Sequence, residues 1–223
     1  MPRATNPASA PPLPRGRHAP PLEVRMDAQR ERLFAAAANV FTRVGYADAT
    51  AEAISREAGM SKATFYEHFA NKEECILALF DAAAQEVFRA TALTVGAADA
   101  EASYEDHLRR RLRAFLETLA RYPEQAQTVL VVIIGAGPRA AERRDAILDA
   151  FADWIHHDNA TYAPSFGAPA FASRDDAFTV IGGIVEVVTR QLRTGQPADI
   201  RELEPTLMRL LFGVLSQGRK EGL

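Results

Sequence analysis

Residues 50 to 74 read Thr50-Ala-Glu-Ala-Ile-Ser-Arg-Glu-Ala-Gly-Met-Ser-Lys-Ala-Thr-Phe-Tyr-Glu-His-Phe-Ala-Asn-Lys-Glu-Glu74. The order of caps, glycine and apolar positions in this stretch decides the fold. Thr50 offers a hydroxyl N-cap to a short helix running through Ala58, with Ala51, Ile54 and Ala58 facing inward. Gly59 breaks that helix, Ser61 caps the next, and the next closes near Phe69. A further helix begins at Asn71 to Glu73, with Glu73 and Glu74 in its first turn, where the helix dipole favours carboxylates. Helix, short helix, glycine turn, helix is the layout of a helix-turn-helix.

Upstream, a helical period runs from Met26, with Leu33, Ala37, Val40, Phe41 and Val44 on one stripe and Arg30, Arg32 and Arg43 off it. Gly45 ends that helix. In the helix after Ser61, an advance of about 100° per residue puts Phe65 and Phe69 on one face, with Met60 before them. Ala63, Thr64 and Glu67 then face the other way, flanked by Tyr66 and His68, and Lys62 projects from the amino end. A helix of about 10–12 Å diameter fits the major groove, and a small residue such as Ala63 lets its backbone approach base edges. The helices beginning after Thr50 and after Asn71 point N–H groups and positive dipole ends outward, and Thr64, Tyr66, His68 and Lys72 add side-chain donors for phosphates.

The stretch from about Arg30 to Phe80, densest over Thr50 to Glu74, resembles the tetracycline-repressor (TetR) family of transcription regulators. The resemblance implies DNA contact from Thr50, Ser61, Lys62, Ala63, Thr64, Tyr66, His68 and Lys72. Ala63 departs from the family's common glycine, which bears on the fine readout of bases. The resemblance also implies an all-α homodimer with an amino-terminal three-helix DNA-binding domain and a carboxy-terminal helical domain for effector binding and dimerisation. In such a homodimer the last two long helices of each chain form a four-helix interface and the middle helices enclose a small effector. Here those last two helices are the segments near 174–193 and 199–217. Phe178, Ile181, Ile184, Val185 and Val188 suit a buried seam on the first, and Leu203, Leu207, Leu210, Leu211 and Val214 on the second. Phe88, Phe115, Tyr122, Phe151 and Trp154 lie on the segments that would wall the pocket, which suits a mostly apolar effector.

The domain boundaries expected are a Pro/Arg-rich arm over 1–25, the helix-turn-helix domain over 26–74 and the effector domain over 75–223. Seven of the thirteen prolines fall in the first 21 residues, beside Arg3, Arg15, Arg17 and His18. Such a segment cannot propagate a helix. Charge divides in the same sense. Residues 1–72 hold ten Lys/Arg against seven Asp/Glu, and the remainder sixteen against twenty-two, so a polyanion should meet the first third. The rest of the chain reads as helix near 73–93, 103–121, 124–135, 138–160, 174–193 and 199–217. Breaks fall at Gly96, Pro123, Gly137-Pro138, Pro164 to Pro169, and Gly195 with Pro197.

Other chemistry finds little support. Val129-Leu-Val-Val-Ile-Ile-Gly-Ala-Gly-Pro-Arg-Ala140 has a β-branched run followed by G-x-G-x-x-A, the outline of a dinucleotide fingerprint and the basis of an alternative oxidoreductase reading. A doubly wound sheet needs several more buried strands, and only Val180 to Val188 is comparable, so Gly135, Gly137 and Pro138 more simply end one helix and start another. His156-His157-Asp158 could attract a metal, but neighbours on a helix point about 100° apart, and a surface helix end is the better reading. A third reading is an adaptor whose helix-turn-helix is merely structural. The single cysteine, Cys75, excludes an internal disulfide framework, and no residue set points to a cofactor, a metal or a catalytic triad. No apolar run approaches the roughly 20 residues a bilayer span requires, and the amino terminus has no signal-peptide core, so the expected address is cytoplasmic.

Overall fold

The computed structural model describes residues 21–92 and 103–217, and every regular element in them is helical. The α-helices are α1 (Leu22–Asp48), α2 (Ala51–Glu57), α3 (Lys62–His68), α4 (Lys72–Ala92), α5 (Tyr104–Arg121), α6 (Pro123–Leu130), α7 (Pro138–Tyr162), α8 (Arg174–Thr194) and α9 (Glu204–Gln217). The described residues form two compact units, one of residues 21–82 with 123–140 and the other of residues 83–92 and 103–122 with 141–217. The division is therefore not a single cut after residue 74: it falls inside α4, and α6 returns to the first unit. Most of the proline-rich arm, residues 1–20, and the break at Gly96 lie outside the described residues.

In the first unit α1 is the platform. Leu33, Ala36, Ala37, Val40 and Phe41 are fully buried along it, and α2 and α6 pack on it. The helix starts at Leu22, directly after Pro21, four residues earlier than the periodicity suggests, because Leu, Glu and Arg propagate a helix well once a proline has fixed its entry. It breaks at Gly45, whose φ of 77° lies in the left-handed region that glycine adopts without strain. Val44, expected on the buried stripe, is exposed in the turn before that break. Thr128, on α6, is fully buried and its hydroxyl donates to Glu124 O and Ala38 O at 2.9 and 3.4 Å.

The segment Val129 to Ala140 contains no strand. After α6, a 3₁₀ turn spans Val132–Gly135, and α7 opens at Pro138. The expected helix over 124–135 is thus cut short, since consecutive β-branched side chains crowd the preceding turn. The glycines act as punctuation, with Gly137 at φ 104°.

The second unit stands on two capping boxes. Ser103 and Asp106 start α5, and Ser173 and Asp176 start α8, each pair exchanging side-chain and backbone hydrogen bonds. Helix α9 packs on α5 and α8. Glu204, at its first position, accepts from Arg109 at 2.8 Å and Arg113 at 2.6 Å. A 3₁₀ turn over Ile200–Leu203 precedes α9 because Pro205 fits only the first turn of a helix. At Gly183 a Cβ would lie 2.7 Å from Leu210 Cδ2, so a larger residue there would require the Leu210 side chain to move. The seam residues expected for a partner chain are mostly used within the protomer. Ile181, Ile184, Val185, Val188, Leu203, Leu207 and Leu211 are buried in the single chain, whereas Phe178 is exposed and Leu210 and Val214 are half-buried.

Candidate nucleic-acid interface

Helix α3 is held by its apolar face. Phe65 and Phe69 are buried, their ring centroids 5.5 Å apart, and Phe69 meets Phe34 of α1 at 5.6 Å. The Arg30 guanidinium lies 5.2 Å from both the Phe34 and the Phe69 centroid. The turn before α3 is fixed by Arg32, which donates to Ala58 O at 2.7 Å, and by Gly59 at φ 64°. Met60 N donates back to Ser55 O at 2.8 Å, so the α2–α3 connection has little freedom.

With that face anchored, Ser61, Lys62, Ala63, Tyr66 and Glu67 are exposed and Thr64 is half-buried. The Ser61 hydroxyl accepts from Thr64 N at 3.1 Å and lies 3.0 Å from Thr64 Oγ1, leaving one hydroxyl hydrogen of the pair for an outside acceptor. Lys62 Nζ is 5.9 Å from the Tyr66 ring centroid, and Tyr66, half exposed, meets Phe65 edge-on. Thr50 caps α2 by accepting from Ala53 N at 3.1 Å, and its own O–H stays available on the exposed side. Helix α3 thus presents Lys62, Ala63, Tyr66 and Glu67 to solvent, and Thr50 is exposed at the start of α2.

Two of the expected DNA contacts have other duties. Lys72 Nζ donates to Tyr46 O, Ala47 O and Ala49 O at 2.8, 2.8 and 3.1 Å and sits 4.6 Å from the Tyr46 ring centroid. All three of its hydrogens are thus engaged on the α1–α2 connection, and Lys72 holds the segment that presents Thr50. His68 Nε2 lies 3.3 Å from Gln29 Oε1 of α1. Burial, then the Arg30 charge, pushes the His68 imidazole below its ordinary value, which keeps it neutral near pH 7. Sequence reasoning missed both roles, since the acceptors of Lys72 are backbone carbonyls and the partner of His68 is a side chain 39 residues away, neither of which leaves a local signal.

In the second unit the structure brings together three of the five aromatics expected to wall an effector site. Phe88 and Phe151 stack face to face at 3.7 Å, and Trp154 meets Phe88 edge-on at 5.9 Å. Phe115 is half-buried on α5, while Tyr122 is exposed at the C-cap of that helix. Asp158, expected on a surface helix end, is buried instead. Its carboxylate accepts from Arg111 Nη2 at 2.7 Å, and α7 continues past it to Tyr162. His107, Leu108, Arg111, Leu112 and Phe115 share the three-and-four spacing of an inward stripe, and that spacing is the signal that could have revealed Arg111 as buried. Cys75 is buried, and desolvation pushes its thiol up to about 12, which leaves it inert.

A capped, exposed helix anchored by two phenylalanines, behind a glycine turn and on an all-helical body, defines a helix-turn-helix DNA-binding regulator. Residues 33–79, the segment that carries the helix-turn-helix, match the family described as bacterial regulatory proteins, tetR family. No curated protein matches the chain in sequence. Its fold is similar to that of the fatty acid degradation regulator FadR from Bacillus halodurans, with a TM-score of 0.69, 19% identity, and 84% of this chain and 96% of that one covered. FadR from Bacillus subtilis, solved in complex with stearoyl-CoA, gives a TM-score of 0.67 at 18% identity, covering 81% and 96%. NalD, the secondary repressor of the MexAB-OprM multidrug efflux pump in Pseudomonas aeruginosa, gives 0.64 at 16%, covering 85% and 96%.

Proposed function

We propose that the protein is an effector-released repressor that binds a roughly palindromic operator as a homodimer. The observation that carries the reading is the outward surface of Ser61, Lys62, Ala63, Thr64 and Tyr66 on a helix whose other face is locked by Phe65 and Phe69. Lys62, Thr64 and Ala63 approach base edges in the major groove, while Thr50, Ser61 and Tyr66 donate to phosphates. Lys72 and His68 act beside them, by fixing the α1–α2 connection and the pose of α3.

The partner chain meets the outer faces of α8 and α9, where Phe178 is 41% exposed and Leu210 and Val214 remain half-buried. Two recognition helices about one DNA turn (~34 Å) apart, or a multiple of it, then read the two half-sites. A mostly apolar effector in the second unit, against Phe88, Phe151 and Trp154, favours a conformer whose helices no longer match that spacing. The effector can shift the equilibrium only by its differential affinity for the two states. Among the described residues no helix is long and apolar enough to cross a membrane, and the proposed place of action is the cytoplasm.

Salt-titrated fluorescence anisotropy with the DNA immediately upstream of the protein's own gene tests this reading. Saturable binding of two chains per site, weakening steeply as salt rises, is the expected result. Binding indistinguishable from that to a random fragment, there and in a genome-wide selection of bound fragments, would overturn it.

A further inference from the structure

On the inward side of α5, several guanidinium and imidazole nitrogens have no acceptor among the described residues. Arg110 Nε and Nη2, Arg111 Nε and His107 Nε2 are buried with no hydrogen-bond partner among the described residues. Among the described residues Asp158 is the only buried carboxylate. One of its oxygens is taken by Arg111 Nη2 at 2.7 Å, and the other lies 3.6 Å from His107 Nε2, too far for a hydrogen bond. Asp106, one turn before Arg110, already accepts from the Ser103 hydroxyl and amide at 2.8 and 3.2 Å. A buried N–H of a guanidinium that gives up water and finds no acceptor is costly, so such groups gathered on one helix face call for an anion from outside the chain.

We propose that Arg110, supported by Arg111 and His107 on α5, binds the anionic head group of an otherwise apolar effector. The proposal rests on the reading of the second unit as the effector domain, and it adds the chemical class of the ligand. His107 and Arg110, and His107 and Arg111, are three and four residues apart, so the three side chains leave one side of the helix. The Arg110 charge reaches His107, and burial followed by the Arg111 charge pushes that imidazole below its ordinary value. His107 therefore stands neutral and contributes a donor without adding a third charge. The forked guanidinium suits a carboxylate or a phosphate, each of which presents two oxygens.

The surroundings specify the rest of the ligand. The Arg111 guanidinium lies 4.8 Å from the Trp154 ring centroid, and Trp154 continues into the Phe88–Phe151 stack, so an apolar wall begins where the cationic group ends. Phe115 follows Arg111 by one turn on the same face. A molecule with an acidic head and a hydrocarbon or aromatic body matches that sequence of polar and apolar groups. A neutral apolar molecule would leave the Arg110 donors unmet.

Trp154 is the only tryptophan of the chain, which gives a direct readout that needs no DNA. Fluorescence titrations of the full chain with dodecanoate, dodecyl phosphate and dodecanol, each below its micellar concentration, compare one apolar body with three heads. Saturable quenching by dodecanoate or dodecyl phosphate at much lower concentration than by dodecanol is expected, and the better of the two names the head group. Arg110→Gln should weaken the anionic probe by about tenfold to a hundredfold. The same change should leave dodecanol binding and the melting temperature essentially unchanged, and Arg110→Lys should restore part of the loss. Equal affinity for dodecanol, absence of saturable quenching by both anions, or an Arg110→Gln variant that binds the anion as the parent does, would each overturn the anion site. The operator assay keeps this separate from the release reading. Arg110-dependent quenching without any change in operator affinity would sustain the anion site and sink effector release, whereas failed quenching with intact operator binding would do the reverse to the anion site alone.

Discussion

The recognition end of the first unit and the α5–α7 interior of the second solve opposite problems with similar residues. Around α3, Phe65 and Phe69 turn inward while Lys62, Tyr66 and Glu67 face out, so the apolar anchoring of the helix does not depend on those exposed groups. Between α5 and α7 the charged groups face in: Arg111 and Asp158 are both buried and bonded at 2.7 Å, with His107 beside them. An exposed polar surface can be changed with little effect on the fold, whereas a buried ion pair cannot lose one member without stranding the other. The contrast orders the expected consequences of mutation.

The largest effect is expected from Asp158→Ala. It leaves Arg111 buried with no carboxylate, and breaking a buried pair in this way costs about 3–5 kcal/mol. Chemical denaturation followed by Trp154 fluorescence should show a large loss of stability in the second unit. A loss below about 1 kcal/mol, the range of exposed pairs, would mean that water reaches this carboxylate and the contrast fails. Lys62→Ala with Thr64→Ala comes next and acts in the opposite register. Specific operator affinity should fall by about 2–4 kcal/mol, the scale of two base-reading contacts, with helical content and dimerisation intact. Unchanged affinity would refute the role assigned to α3.

Lys72→Met sits between the two regimes. If the ammonium holds the α1–α2 connection through Tyr46, Ala47 and Ala49, thermal stability should drop by about 1–3 kcal/mol even without DNA. If Lys72 served only as a phosphate contact, stability would stay constant and the salt dependence of DNA binding would fall by about one unit of slope. A melt and a salt titration of the same variant separate these outcomes.

What the sequence could disclose follows the same division. The helix-turn-helix is written in local signals: caps at Thr50 and Ser61, a glycine at 59, and phenylalanines four residues apart. Each acts within one or two turns of its own position, and the structure has them as the spacing predicts. Asp158 and Arg111 are 47 residues apart, and Lys72 reaches carbonyls 23 to 26 residues away. No local pattern encodes such a pairing. The His156-His157-Asp158 run looked like a solvated helix end because its neighbours are polar, and only the placement of α5 against α7 buries the aspartate. The expected second-unit seam is ambiguous for a related reason. Apolar residues on a helix can serve the protomer's own core or a partner, and periodicity alone cannot assign each residue of α8 and α9 to one or the other.

The smallest effect expected is one of pH, and it compares the two units through their histidines. His107 and His68 are both pushed below the ordinary histidine value of 6.5, His107 by burial and then the Arg111 charge, His68 by burial and then Arg30. A histidine whose folded pKa is depressed binds fewer protons folded than unfolded. Its contribution is therefore complete above about pH 6.5 and is lost as the pH falls below the unfolded value. Asp158 opposes the shift at His107, and Glu67 opposes that at His68, which keeps both slopes shallow. Denaturation at pH 7.5 and at pH 5.5, read through Trp154, should show the second unit weaker at the lower pH. His107→Gln should flatten that difference, while His68→Gln should leave the Trp154 signal unmoved. A second unit equally stable at both values would mean that His107 is solvated, and the buried cluster of α5 and α7 would then be open to water rather than closed around its charges.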